Sequence, residues 1–308
     1  MMQRVFLFLA TNLAVLLVLG VVTRVTGLDL LIDPRGGNLT GLLVVAGIVG
    51  MTGSFISLAL SKTMAKMSTG AKVISEPRSE VERWLVTTVR EQARKAGIGM
   101  PEVAVYQSPD MNAFATGMSR NAALVAVSTG LLEGMSRDEV EGVLAHEVAH
   151  VANGDMITLS LLQGVLNTFV FFFARIAGAL IDNALRPQRD DGAAQGPGIG
   201  YWVAVMAAEV VFGLLASIIV MWFSRRREFA ADAGGAALAG HPRMISALER
   251  LAGDRVPPSL PEGMQAFGIA GGRTSLFARL FMTHPPLEER IAALRTAARQ
   301  GPVGLRRG

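Results

Sequence analysis

The residues whose types and spacing point most directly to chemistry are His146-Glu147-Val148-Ala149-His150. On a helix, positions i and i+4 lie on one face about 40° apart, so the two imidazoles can bind one tetrahedral metal ion. Glu147 projects beside them, where it can take a proton from a water activated by that metal. The chain has no cysteine, which excludes disulfides, thiolate nucleophiles and cysteine-type zinc sites. A third ligand must therefore be a histidine or a carboxylate. The segment Ser224-Arg225-Arg226-Arg227-Glu228-Phe229-Ala230-Ala231-Asp232 supplies Glu228 and, four residues on along the same helical face, Asp232. Glu228 would bind the metal. Asp232 would hydrogen-bond the free ring nitrogen of a ligand histidine, fixing its tautomer and raising its basicity. Taken singly, the first motif could be two histidines on an amphipathic helix, and the second a basic flank with solvated carboxylates. Taken together they favour a metal centre with one position left open.

Positioning such a centre takes regular elements, and the sequence around it supplies their start and stop signals. Ser136-Arg137-Asp138-Glu139 is a capping box ahead of Val140, Val143, Leu144, Val148 and Val151, which places both histidines on a capped helix. An earlier capping box, Ser79-Glu80-Val81-Glu82, opens a second helix carrying Trp84, Leu85, Val89 and Ala93, with Gly97 as its stop. Short strands are predicted around Val103 and Val105, over Asn112 to Ala115 and over Ala123 to Ser128. His241, in Gly240-His241-Pro242, reads as a loop residue with no catalytic part.

The rest of the chain is too apolar for a soluble enzyme: hydrophobic residues make up 51% and charged residues 18%. With 29 Lys+Arg against 25 Asp+Glu and no basic patch interleaved with aromatics, nothing indicates a nucleic-acid partner. Four apolar segments approach the roughly 20 residues that a bilayer span requires. The predicted organisation is a transmembrane hairpin over residues 1–61 with spans at about 5–23 and 39–61, then the first part of a catalytic domain over 62–155. A second hairpin covers 156–224 with spans at about 157–181 and 202–224, and the second part of the catalytic domain covers 225–308. Val5 to Thr23 lacks a cleavage site of the signal-peptide kind and reads as an uncleaved anchor. Arg4, Lys62, Lys66, Lys72 and Arg225 to Arg227 flank the segments on one side, which by the positive-inside rule places both termini and the catalytic parts in the cytoplasm. The lipid bilayer is thus one partner. The fold class is a mostly α, α+β membrane protein with four transmembrane helices and a cytoplasmic, gluzincin-like catalytic domain containing a small β-sheet.

These residues resemble the HtpX family of integral membrane zinc metalloproteases, in the same superfamily as the CAAX-type prenyl-protein proteases. The resemblance is carried by Asn112-Ala113-Phe114-Ala115-Thr116-Gly117, by Val125 to Leu132, by the HExxH helix continuing as Asn153-Gly154-Asp155, by Arg227-Glu228-Phe229-Ala230-Ala231-Asp232, and by Thr283-His284-Pro285-Pro286. It implies one zinc ion per chain, residence in a bacterial inner membrane, and proteolysis of misfolded or damaged membrane proteins. It also implies a substrate contact at Asn112 and an oxyanion-stabilising pair at His284 and Arg290. An extended substrate is expected to pair beside the strand holding Ala123, Val125 and Val127. The competing readings are a CAAX-type prenyl-peptide protease and a transporter or inactive scaffold with a structural zinc.

Two charges interrupt the third and fourth apolar segments, Arg175 and Glu209. Ionisable residues at membrane depth usually find a partner. At 1.5 Å per residue, Arg175 stands roughly 27 Å past Ile157 and Glu209 roughly 22 Å from Ser224, close enough on antiparallel helices to predict an interhelical ion pair.

Overall fold

The computed structural model describes residues 39–185, 198–253 and 284–300. The predicted first span, Val5 to Thr23, lies outside the described residues, as does Thr283. Twelve elements follow in order: α1 (Leu39–Thr69), β1 (Lys72–Val73), α2 (Glu80–Ala96), β2 (Glu102–Tyr106), β3 (Ala113–Gly117), β4 (Ala123–Ser128), α3 (Thr129–Gly134), α4 (Arg137–Asn153), α5 (Asp155–Leu185), α6 (Ile199–Ala239), α7 (His241–Gly253) and α8 (Leu287–Gln300). The chain is mostly helical, and it divides into two compact units, residues 1–57 with 159–220 and residues 58–158 with 221–308.

The candidate membrane spans among the described residues are α1, α5 and α6, with lengths of 31, 31 and 41 residues, of which residues 39–57, 159–185 and 199–220 fall in the first unit. Away from its ends a helix satisfies its backbone amides internally, which is what the bilayer demands. Small residues let α1 and α5 approach closely. A Cβ on Gly50 would fall 2.5 Å from Thr168 Oγ1 and 2.6 Å from its backbone nitrogen, and one on Gly164 would meet Ser54 and Met51. Leu43, Ala46, Phe172 and Ile176 close the same seam. Between α5 and α6, Arg175 Nη1 donates to Glu209 Oε1 at 2.5 Å, forming the ion pair that helix counting predicts. The guanidinium also lies on the ring of Phe171.

In the second unit, α2 and α4 begin with the two predicted capping boxes, the Ser79 and Ser136 hydroxyls accepting from the amides of Glu82 and Glu139. Both end at a left-handed glycine, Gly97 with φ 67° and Gly154 with φ 69°. The sheet has strand order β1-β2-β4-β3, with β2 and β4 parallel and the other pairs antiparallel. One face carries Val103, Val125 and Val127 against Leu85, Val89, Leu144 and Val148 of α2 and α4. Here the structure corrects the sequence reading in three places. The strand of Ala123, Val125 and Val127 is paired on both sides and wholly buried, so nothing can add beside it; the free edge near the HExxH helix is β3. The two-residue β1 and the single turn α3 escape prediction because neither is long enough to show a period. His241 is the first residue of α7, not a loop residue, since the Gly240 turn at φ 95° ends one helix and immediately begins the next.

The candidate metal centre

The two histidines lie in the last two turns of α4, both turned toward α6. Helix α6 does not stop where its apolar segment ends: it runs unbroken through Arg225 to Arg227 and delivers Glu228 and Asp232 from the same face. Gly234 and Gly235 allow α6 to lie directly on α4. A Cβ on Gly234 would sit 2.8 Å from that of Ala149, and one on Gly235 would sit 3.1 Å from the His146 backbone nitrogen.

The resulting cluster has three converging donors. His150 Nε2 is 3.1 Å from His146 Nε2, Glu228 Oε1 is 3.3 Å from His150 Nε2, and Glu228 Oε2 is 3.4 Å from His146 Nε2. An ion bound tetrahedrally by nitrogen and oxygen at 2.0–2.1 Å has ligand-to-ligand edges of about 3.3 Å, so these atoms already stand at the corners zinc needs. Glu228 is 2% exposed, and its Oε2 is buried without an aligned hydrogen bond although His284 Nδ1 and Arg290 Nη1 lie 2.9 and 3.1 Å away. A buried carboxylate set against two imidazole nitrogens at these spacings is the donor set that zinc takes. The residues fit a zinc ion.

Each histidine is held by a carboxylate through its other nitrogen. His146 Nδ1 lies 3.0 Å from Asp232 Oδ1, and His150 Nδ1 hydrogen-bonds Asp155 Oδ2 at 2.7 Å. Two arginines hold these aspartates in turn. Arg290, 5% exposed, donates from Nη2 and Nε to the two oxygens of Asp232 at 2.6 and 2.8 Å. Arg227 donates to the backbone carbonyl of Asp155.

This packing shapes the charges. Burial disfavours a charged His150, but hydrogen bonds to Asp155 and Glu228 outweigh it and push the imidazole up to about 9. His146 is raised in the same way, burial being overcome by Asp232 and Glu228. Glu228 is held far below the usual carboxylate range, its burial outweighed by His146, His150 and His284, and Asp232 is lowered against its own burial by Arg290 and His146.

Of the residues expected from the sequence, the structure brings His146, His150, Glu228, Asp232, His284 and Arg290 together. The two residues expected at the oxyanion differ sharply: the His284 side chain is 61% exposed, while Arg290 is sunk beneath Asp232 and Glu228. Glu147 stands half-buried on α4 between the two ligands. Asn112 is exposed at the start of β3, its carbonyl accepting from the Ser128 amide at 2.9 Å. Ala123, Val125 and Val127 lie inside the sheet, away from any open edge. Sequence reasoning assigned no role to Asp155, and it took Arg227 for a flanking charge. The one available signal was the left-handed Gly154, which folds residue 155 back onto the turn containing His150.

Comparison with known proteins agrees with this geometry. The family model described as peptidase family M48 matches residues 79–298. The chain is 57% identical over 300 residues to "Protease HtpX" of Thioalkalivibrio sulfidiphilus, covering 97% of this chain and 100% of that one. It is 60% identical over 297 residues to "Protease HtpX" of Xanthomonas oryzae pv. oryzae, covering 96% and 98%. Among solved structures, S. mikatae Ste24p shares the fold with a TM-score of 0.58 at 17% identity, over 90% of this chain but only 64% of that longer one. The capped HExxH helix, the carboxylate ligand arriving on a membrane-length helix and the near full-length matches agree: the chain belongs to peptidase family M48, as one of its HtpX-type integral membrane zinc metalloproteases.

Proposed function

We propose that the chain is a quality-control endopeptidase of the bacterial inner membrane, with a cytoplasmic centre that cuts extended segments of misfolded or damaged membrane proteins. The observation that carries this reading is the pairing of a three-donor site with a strand edge unpaired among the described residues: α4, which bears the histidines, packs against β3, one of the two outer strands of the sheet. Three protein donors leave a tetrahedral ion one position for water or substrate, as a structural four-ligand zinc does not. Since Asn112 directs its carbonyl toward β4, the alternation of an antiparallel ladder turns the N–H and C=O groups of Ala113 and Ala115 outward. A substrate strand can pair there through its main chain, with little demand on sequence, as a protease of damaged proteins requires.

His146, His150 and Glu228 would hold the ion, which when bound polarises the scissile carbonyl and acidifies water. Glu147 accepts the proton of the attacking water and hands it to the departing amine nitrogen. Asn112, exposed just before β3, would contact the substrate backbone. His284, exposed beside Glu228, would supply the donor for the carbonyl oxygen as its charge develops. Arg290 acts from beneath, keeping Asp232 ionised and in place. The membrane part is read as four spans, with Val5 to Thr23 as the first.

The test is proteolysis by detergent-purified protein supplied with zinc. Cleavage of casein or an unfolded membrane protein should occur, stop on chelation and be absent in Glu147→Gln. A preference for a prenylated peptide over these would favour the CAAX-type reading. Zinc binding without any cleavage would leave an inactive scaffold.

A further inference from the structure

We propose that Asp155 and Arg227 are positioning residues for the metal site: Asp155 fixes the ring of His150, and Arg227 fastens Asp155 to the helix that carries Glu228, so that ligands on two helices are held in one frame. The proposal rests on the reading of His146, His150 and Glu228 as zinc ligands.

Three observations carry it. The turn at Gly154 ends α4 and lets Asp155 open α5 with its carboxylate folded back to His150, 2.7 Å from Nδ1 and 7% exposed. Arg227 is drawn inward, its side chain 13% exposed, with Nη1 on the Asp155 carbonyl and 3.9 Å from Oδ1. Its Nε is buried with no hydrogen-bond partner, while the adjacent Arg226 is exposed and stacked on Trp222. Burying a guanidinium costs a basic flank its hydration, and the contact of Arg227 with the Phe223 ring offsets only part of that. The inward turn of Arg227 therefore serves Asp155. The arrangement repeats at the other histidine, where Arg290 holds Asp232 and Asp232 lies on His146. The two differ in grip. Arg290 takes both carboxylate oxygens, whereas Arg227 takes a backbone carbonyl and so determines where Asp155 stands rather than neutralising it.

The experiment measures zinc affinity by chelator competition on detergent-purified protein, with the visible spectrum of the Co2+-substituted form as a second readout. All variants are made in a Glu147→Gln background to prevent proteolysis. Asp155→Asn keeps the shape and the polar helix start, so a purely structural role would survive it. Its amide can instead donate to Nδ1 and present the wrong nitrogen to the metal. Asp155→Asn should weaken zinc binding roughly 10 to 100-fold and alter the Co2+ bands, the scale of losing a carboxylate that orients a ligand histidine. Arg227→Gln should weaken binding too, Arg227→Lys less, and the double variant no more than Asp155→Asn alone. Arg226→Gln should change nothing. Unaltered affinity and spectrum in Asp155→Asn, or losses that simply add in the double variant, would overturn the proposal; should Arg227→Gln fail to fold, Asp155→Asn alone decides. Glu228→Ala separates the two levels: if it retains zinc, the ligand reading itself fails, and if it loses zinc while Asp155→Asn does not, only the positioning proposal falls.

Discussion

Replacing Glu147 by glutamine preserves shape and removes only the proton acceptor, so zinc should remain bound while proteolysis is lost. Metal analysis beside a cleavage assay checks this, and equal metal loss would make Glu147 a ligand. Among the carboxylates, Glu228→Ala should strip zinc almost completely and Asp232→Ala only partly, by roughly 10 to 100-fold; the reverse order would exchange their roles. Protons compete with the metal for the same imidazoles. In the metal-free protein the His150 pKa is raised to about 9, so the stability it contributes is complete below its unfolded value of about 6.5 and is lost as pH rises through about 9. The unfolding temperature of the metal-free protein should therefore fall from pH 6.5 to 9, while zinc affinity climbs across the same window as bound protons are released. A flat affinity across that window would show that His150 is already neutral before the metal arrives. At this scale the ligands and Asp232 were legible because they share one helical period, His146 with His150 and Glu228 with Asp232 each four residues apart. Asp155 and Arg227 were not, because their contact joins residues 72 positions apart and neither type is rare enough to draw notice.

Between elements, the ion pair of Arg175 and Glu209 could be predicted because two charges in apolar helices have few alternatives. Breaking such a pair strands one charge, while removing both is often nearly neutral. Arg175→Leu and Glu209→Leu should each lower thermal stability in detergent more than the double change, and additive losses in that cycle would show that the two charges act separately. The α1–α5 seam gives a second test with a control in the same helix. Gly50→Ala pushes a methyl into the Thr168 backbone and should destabilise, whereas Gly53→Ala, with nothing within 4 Å of its new atom, should be neutral or stabilising. The helices of the catalytic unit were legible from their caps, Ser79 with Gly97 and Ser136 with Gly154. Strand order was not, since alternation shows which segments are extended but not which one is central. Ala123 to Ser128 reads as a continuous apolar run because it is enclosed on both edges and both faces, and that same enclosure is what disqualifies it as a docking edge.

For the molecule as a whole, the chain leaves the metal centre at Asp155 on one membrane-length helix and returns to it at Glu228 on another. Two crossings restore the starting side, so the segment joining these helices should face away from the compartment that holds the site. On the topology proposed above that compartment is the cytoplasm, because Lys62 and Lys66, both bound to Glu102 at 2.6 Å, stand at the catalytic end of α1, where the positive-inside rule expects basic residues. A chain without cysteine makes the sidedness directly measurable, because any single introduced thiol is the only one to label. Ala193→Cys, in the joining segment, should react with a membrane-impermeant maleimide in intact spheroplasts. Ala122→Cys, exposed in the turn between β3 and β4, should react only after permeabilisation. The opposite pattern would place the protease active site outside the cytoplasm. Labelling of both thiols in intact cells would mean that α5 and α6 do not form a spanning hairpin, and the return of the chain to Glu228 would then need no membrane crossing at all.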